Sequence, residues 1–98
     1  MREIRSSDVF DEWLSKLRDD QAIARITTRI KRLARGNPGD NRFLGEISEM
    51  RIDYGPGYRV YFRDTGKEII ILLCGGDKTS QQADIERARE ILRQYKEE

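Results

Sequence analysis

The chain has no histidine, one cysteine and two prolines among its 98 residues. Without histidine, the usual zinc sites, histidine triads and imidazole acid–base catalysis are excluded. A single cysteine, Cys74, excludes an internal disulfide and a cysteine zinc cluster. The longest apolar run, Ile69 to Cys74, is six residues, whereas a membrane helix needs about 20. The opening MREIRSSDVF carries charge but lacks the apolar segment of a signal peptide. These absences predict a soluble, cytoplasmic protein without a metal or cofactor.

Charge of one sign is lacking too. Nineteen basic residues face 18 acidic ones, a net charge of +1, so global charge points to no nucleic-acid partner and local distribution has to be read instead. The length fits one domain, 1–98, and the 37% hydrophobic fraction supports one modest core.

What is present is well patterned. Residues 2–5 suit a short edge strand. Ser6 or Ser7 can cap a helix over roughly 7–18, in which Val9, Phe10, Trp13, Leu14 and Leu17 share one face. Asp19 and Asp20 break it and can cap a second helix over roughly 21–35. There Ile23, Ile26, Ile30 and Leu33 form the apolar stripe, while Arg25, Arg29 and Arg32 lie on another face. Gly36 and Pro38 stop this helix, and residues 36–45 read as loop. The period then changes from 3.6 to 2. Met50, Ile52 and Tyr54 alternate with polar neighbours, and after Gly55-Pro56-Gly57 so do Tyr58, Val60 and Phe62. After the turn at residues 64–66, residues 67–74 suit an interior strand. Gly75-Gly76 reads as a strand-to-helix turn, followed by a helix over about 80–96. The order β-α-α-β-β-β-α predicts an α+β fold: a compact antiparallel sheet, two N-terminal helices packed on one face, and a C-terminal helix.

Strand parity supplies the candidate chemistry. If Met50, Ile52, Tyr58, Val60 and Phe62 face the helices, then Arg51, Arg59, Tyr61 and Arg63 face away, with Lys78 just past the last strand. Arginine forks suit phosphate, and an exposed tyrosine can stack on a base. The plain alternative is a solvated sheet face, because Glu49 and Asp53 share the outward parity and can pair with the arginines. Periodicity alone favours that alternative. Cys74 reads as a small core residue.

The stretch EMRIDYGPGYRVYF, the segment LLCGGDKTSQQADIERA and the element order together resemble the RelE/ParE toxin superfamily. The nearest subgroup is the short HigB-like, phage-derived Gp49-like "addiction module killer" proteins. The likeness runs from Phe10 to about Leu92. It implies the toxin of a type II toxin–antitoxin system, acting as a ribosome-dependent endoribonuclease on mRNA. It also implies a cognate antitoxin of helix-turn-helix type from the adjacent gene, held in a hetero-oligomer. Arg59 in GYRVYF matches the family's strand arginine, Arg51 in EMRIDY the arginine of the preceding strand, and Lys78 in GGDK the basic position after the last strand. These three are the candidate catalytic residues. Arg63, Tyr61, Arg29 and Arg32 are candidates for RNA contact. Asp77 can orient Lys78 or cap a helix, and the cap is favoured.

RNA carries its own nucleophile, so such an enzyme needs only to orient the 2′-OH, take its proton, stabilise the phosphate and protonate the leaving oxygen. Fixed arginines can supply the charge, and a lysine crowded by cations can move protons. One departure concerns the last helix. RelE members often carry a tyrosine near the site there, whereas SQQADIERARE has none and Tyr95 lies too late on the apolar side. Two other functions remain on the same fold: a ParE-like DNA gyrase poison and a non-catalytic antitoxin-binding module. The combination of Arg51, Arg59 and Lys78 favours the nuclease over the gyrase poison, whose family members generally lack this basic set. For the non-catalytic module, arginine-to-alanine changes would leave growth inhibition, or its absence, untouched.

Overall fold

A computed structural model describes residues 1–97, with side chains described through Tyr95. The elements in chain order are β1 (Glu3–Ser6), α1 (Asp8–Ser15), α2 (Asp20–Ala34), β2 (Asn41–Phe43), β3 (Ser48–Ile52), β4 (Tyr58–Asp64), β5 (Ile69–Gly76), a 3-10 turn (Lys78–Ser80) and α3 (Gln81–Glu97). Five strands form one sheet in the order β1-β5-β4-β3-β2. The expected α+β class holds, but the sheet is mixed: β1 pairs parallel to β5, and the other neighbours are antiparallel. Helices α1 and α2 carry the chain from β1 to β2 at the opposite edge of the sheet, and the meander β2-β3-β4-β5 then returns to place β5 beside β1. The segment expected to be a continuous loop at 36–45 contributes a fifth strand, β2, which pairs with β3 through Asn41 and Met50. Only three residues long and polar at two of them, it carries no periodicity to read.

Both N-terminal helices begin where the caps predict. Ser7 Oγ accepts from Phe10 N at 3.0 Å and Asp19 Oδ1 from Gln21 N at 2.9 Å, each satisfying an amide that the first turn leaves unpaired. Ser7 is buried, and its hydroxyl also donates to Leu73 O at 2.5 Å, fastening α1 to β5. Ser7→Ala therefore removes a cap and leaves a buried carbonyl short of a donor. The expected cost is about 2 kcal/mol, measured as a lower urea midpoint with an unchanged slope.

Helices α1 and α2 cover one face, where Phe10, Ile26 and Leu33 pack on Met50, Ile52, Val60, Phe62, Ile70 and Leu72. Parity on this face is as expected. The opposite face is not solvated. Helix α3 covers it with Ile85, Ala88, Ile91 and Leu92, which pack on Tyr61, Leu73, Cys74 and Ile47. A bulge in β5 makes this possible: Tyr61 pairs with Cys74 but Phe62 pairs with Leu72, so Leu73 and Cys74 both turn toward α3. Tyr61, expected to be exposed, is 0% exposed. Cys74 is core, as expected, and burial pushes its thiol up to about 12.

The Gly75-Gly76 pair is not a turn. Both residues are the last of β5, paired with Val60 and Arg59. A Cβ at Gly75 would overlap the Trp13 indole, and one at Gly76 would overlap the Asp84 carboxylate. The two glycines let α1 and the start of α3 close on opposite faces of the same strand end.

Candidate functional site

At the end of the sheet where β3 turns into β4 and β5 runs out lies an open cleft of about 390 Å3. Its lining includes Arg51, Arg59, Lys78, Tyr58, Asp40 and Asp53. The three candidate catalytic residues, from β3, β4 and the turn after β5, thus share one cleft. The turn between β3 and β4 shapes its rim: Gly57 has φ +80°, a region that disfavours a side chain, and any Cβ there would approach both Arg59 and Lys78.

Arg51 and Arg59 are directly opposite each other across the β3–β4 ladder. Like charges in that position repel, and each guanidinium is held by a carboxylate. Arg51 donates from Nη2 and Nε to Asp40 Oδ1, at 2.8 and 3.2 Å. Arg59 donates from Nη1 to the carbonyl of Gly57 at 2.9 Å, and its Nε stands 3.7 Å from Glu49 Oε2. The Arg59 side chain is only 12% exposed, so it forms the floor of the cleft and not an outer surface. Lys78 is exposed and makes no ion pair among the described residues. Asp77 caps the 3-10 turn: its carboxylate accepts from Thr79 N at 2.8 Å, which fixes the direction in which Lys78 leaves the backbone.

The four candidate RNA contacts do not line the cleft. Tyr61 has no free ring face, because α3 covers it and its hydroxyl donates to Glu49 Oε2 at 3.0 Å. Arg63 donates to the Glu46 carbonyl at 2.7 Å. Arg29 spends its guanidinium on three carbonyls, those of Arg51, Pro38 and Asp40, and so holds the loop that presents Asp40. Burial pulls its pKa down. Arg32 is exposed on α2.

Two residues near the cleft sit differently from what strand parity alone predicts. Parity places Tyr58 in the core; it does pack edge-on to Trp13, at 6.2 Å, but also lines the cleft. Parity places Glu49 on the outward face, able to pair with the arginines; its carboxylate does stand 3.7 Å from Arg59 Nε, but it is 0% exposed where a solvated face is expected. Its Oε2 accepts from Tyr61 and from Gln81 Nε2 at 2.9 Å, and its Oε1 from Arg42 Nε at 3.1 Å. Burial pushes the Glu49 carboxyl upward. The hydrogen bonds from Gln81, Tyr61 and Arg42 outweigh it and hold the group below the ordinary carboxylate value. No periodicity signals this, because the donors come from β2, β4 and α3.

Among the described residues there is no group of three side chains able to hold a metal, and no helix long and apolar enough to cross a membrane. No protein-family model and no solved structure matches the chain. A Haemophilus influenzae protein, described as an uncharacterized protein, is 49% identical over 88 residues, covering 89% of each chain. At that identity and coverage, the chain belongs to the same family as this Haemophilus influenzae protein.

Proposed function

We propose that the protein is the toxin of a type II toxin–antitoxin pair of the RelE/ParE superfamily, HigB-like, and an endoribonuclease that cuts mRNA on the ribosome without a metal cofactor. The observation that carries this reading is the convergence of Arg51, Arg59 and Lys78 on one cleft. In the proposed reaction the 2′-oxygen attacks the adjacent phosphorus and the bond to the 5′-oxygen breaks, leaving a cyclic phosphate. The 2′-proton leaves to a base and the 5′-oxygen gains a proton. Arg59, fixed at the floor, meets the charge that builds on the phosphate oxygens. Lys78, exposed at the rim, stabilises that charge or carries a proton. The ribosome supplies alignment of the message, so a shallow cleft suffices. The site of action is the cytoplasm. The partner in the resting state is an antitoxin of helix-turn-helix type.

Primer extension on a defined mRNA in a purified translation system tests the reading. Cuts at A-site codons support it. If a folded, antitoxin-free protein makes no cuts but traps gyrase in a supercoiling assay, the nuclease is replaced by the gyrase poison.

The Asp40–Arg51 pair adds a graded expectation. Asp40 and Arg51 are both about half exposed, at 57% and 42%, so the pair contributes little to stability. A phosphate entering the cleft must compete with Asp40 for Arg51. Asp40→Asn is expected to tighten binding of a non-cleavable 2′-deoxy oligonucleotide about three- to fivefold, the free energy of one exposed ion pair. Fluorescence anisotropy at fixed salt measures it, and unchanged or weaker binding counts against Arg51 as a phosphate contact.

A further inference from the structure

The buried Glu49 carboxylate does not line the cleft but lies 3.7 Å from Arg59, which does. A carboxylate removed from water is costly unless it is well paired. Here Tyr61 from β4, Gln81 from α3 and Arg42 from β2 supply three hydrogen bonds. The fourth neighbour is different. Arg59 Nε is buried, stands 3.7 Å from Oε2, and makes no hydrogen bond among the described residues. It is close enough for strong attraction and too far for a hydrogen bond. On its other side Arg59 Nη1 is anchored to the Gly57 carbonyl. Two edges of the guanidinium are therefore constrained from below and from the rim. Nη2 makes no hydrogen bond among the described residues.

We propose that Glu49 is a positioning residue for Arg59: it tethers the Nε edge of the guanidinium at the cleft floor, so that the Nη2 edge is presented to an anion in the cleft. This rests on the reading of the cleft as a phosphate site. Glu49 also offsets the repulsion between Arg59 and Arg51 across the ladder. It does so from a buried place where it cannot itself meet the substrate. A carboxylate that only stapled α3 to the sheet would need Tyr61 and Gln81 and would have no use for Arg59.

The test uses Glu49→Gln, which keeps the shape and removes the charge. If positioning is the role, kcat for mRNA cutting per folded molecule falls by about 10²-fold, the order expected for a misplaced catalytic group, with KM little changed. A purely structural role lowers the urea midpoint and leaves kcat per folded molecule intact, and that result overturns the proposal. A second readout needs neither activity nor a variant: the Nε–H resonance of Arg59 in wild-type protein, followed during titration with inorganic pyrophosphate. Slow solvent exchange and a pyrophosphate-dependent shift support the tether. Exchange as fast as that of exposed Arg32 overturns it, even if Glu49→Gln fails to fold. If wild type cuts no RNA while Arg59 Nε–H is slow and responsive, the nuclease reading fails and the positioning role stands.

Discussion

In the proposed nuclease, Arg59→Ala is expected to lower mRNA cutting by about 10²–10³-fold, the effect of removing one preorganised donor from a developing oxyanion. Arg59 is the best placed of the three cations for that task. Its backbone lies in β4, the middle strand of the sheet. Its side chain is nearly enclosed, and its guanidinium is held at two edges. A fixed charge needs no reorganisation when the phosphate becomes dianionic, whereas exposed Lys78 must be ordered first. An arginine facing solvent would leave stability untouched when removed. Arg59 is instead packed beside buried Glu49, which would keep Tyr61, Gln81 and Arg42 but lose its fourth neighbour. Arg59→Ala should therefore also cost about 1–3 kcal/mol of stability. Cutting must accordingly be normalised to the folded fraction, taken from circular dichroism at the assay temperature. Arg59→Lys separates charge from shape: it retains the charge, loses the planar fork, and should recover only part of the rate. Wild-type cutting by a folded Arg59→Ala protein would remove this residue from the mechanism.

Gly75→Ala is expected to destabilise the fold by about 3 kcal/mol, the upper end of overpacking in a close-packed interior. The new methyl group would enter the space of the Trp13 ring, which also packs against Phe10 at 5.7 Å and Tyr58 at 6.2 Å. Trp13 cannot retreat without disturbing α1 or the cleft wall at Tyr58. For a domain of this length, the loss corresponds to a fall in Tm of more than about 10 °C, readable by calorimetry. Were these glycines a turn, an alanine at 75 would have little to collide with. A fall of under about 2 °C would mean that Trp13 does not lie across the strand end.

The helices and the strand parity on the α1–α2 face were legible in the sequence because each rests on local chemistry. Ser7 and Asp19 cap as their residue types require, and Met50, Ile52, Val60 and Phe62 alternate as half of a pleated sheet must. The grouping of Arg51, Arg59 and Lys78 was legible too, through parity and family resemblance, and the fold does bring all three to one cleft. The far face was not. Its residues Arg59, Tyr61 and Arg63 alternate with core residues just as a solvated face would, yet α3 buries Tyr61, and Arg59 is nearly enclosed beside Glu49 and the Gly57 carbonyl. The β5 bulge at Leu73 was hidden because residues 69–74 are apolar throughout, so parity there has no contrast to reveal a shift. Strand β2 and the parallel pairing of β1 depend on neighbours distant in the chain, and neither segment is long enough to announce itself.

By itself, the sequence determined what chemistry is possible. Without histidine and with one cysteine, any charge handling falls to arginine, lysine and carboxylates. Tertiary structure decided which of those groups do what. Of the residues sharing the outward parity, Glu49 is drawn into the interior by donors from three other elements, Tyr61 becomes one of those donors, and Arg51 and Arg59 remain at the cleft. The reason is that burial and pairing depend on which elements meet in space. Alternation along a strand reports only the two faces of that strand, and here both faces are covered.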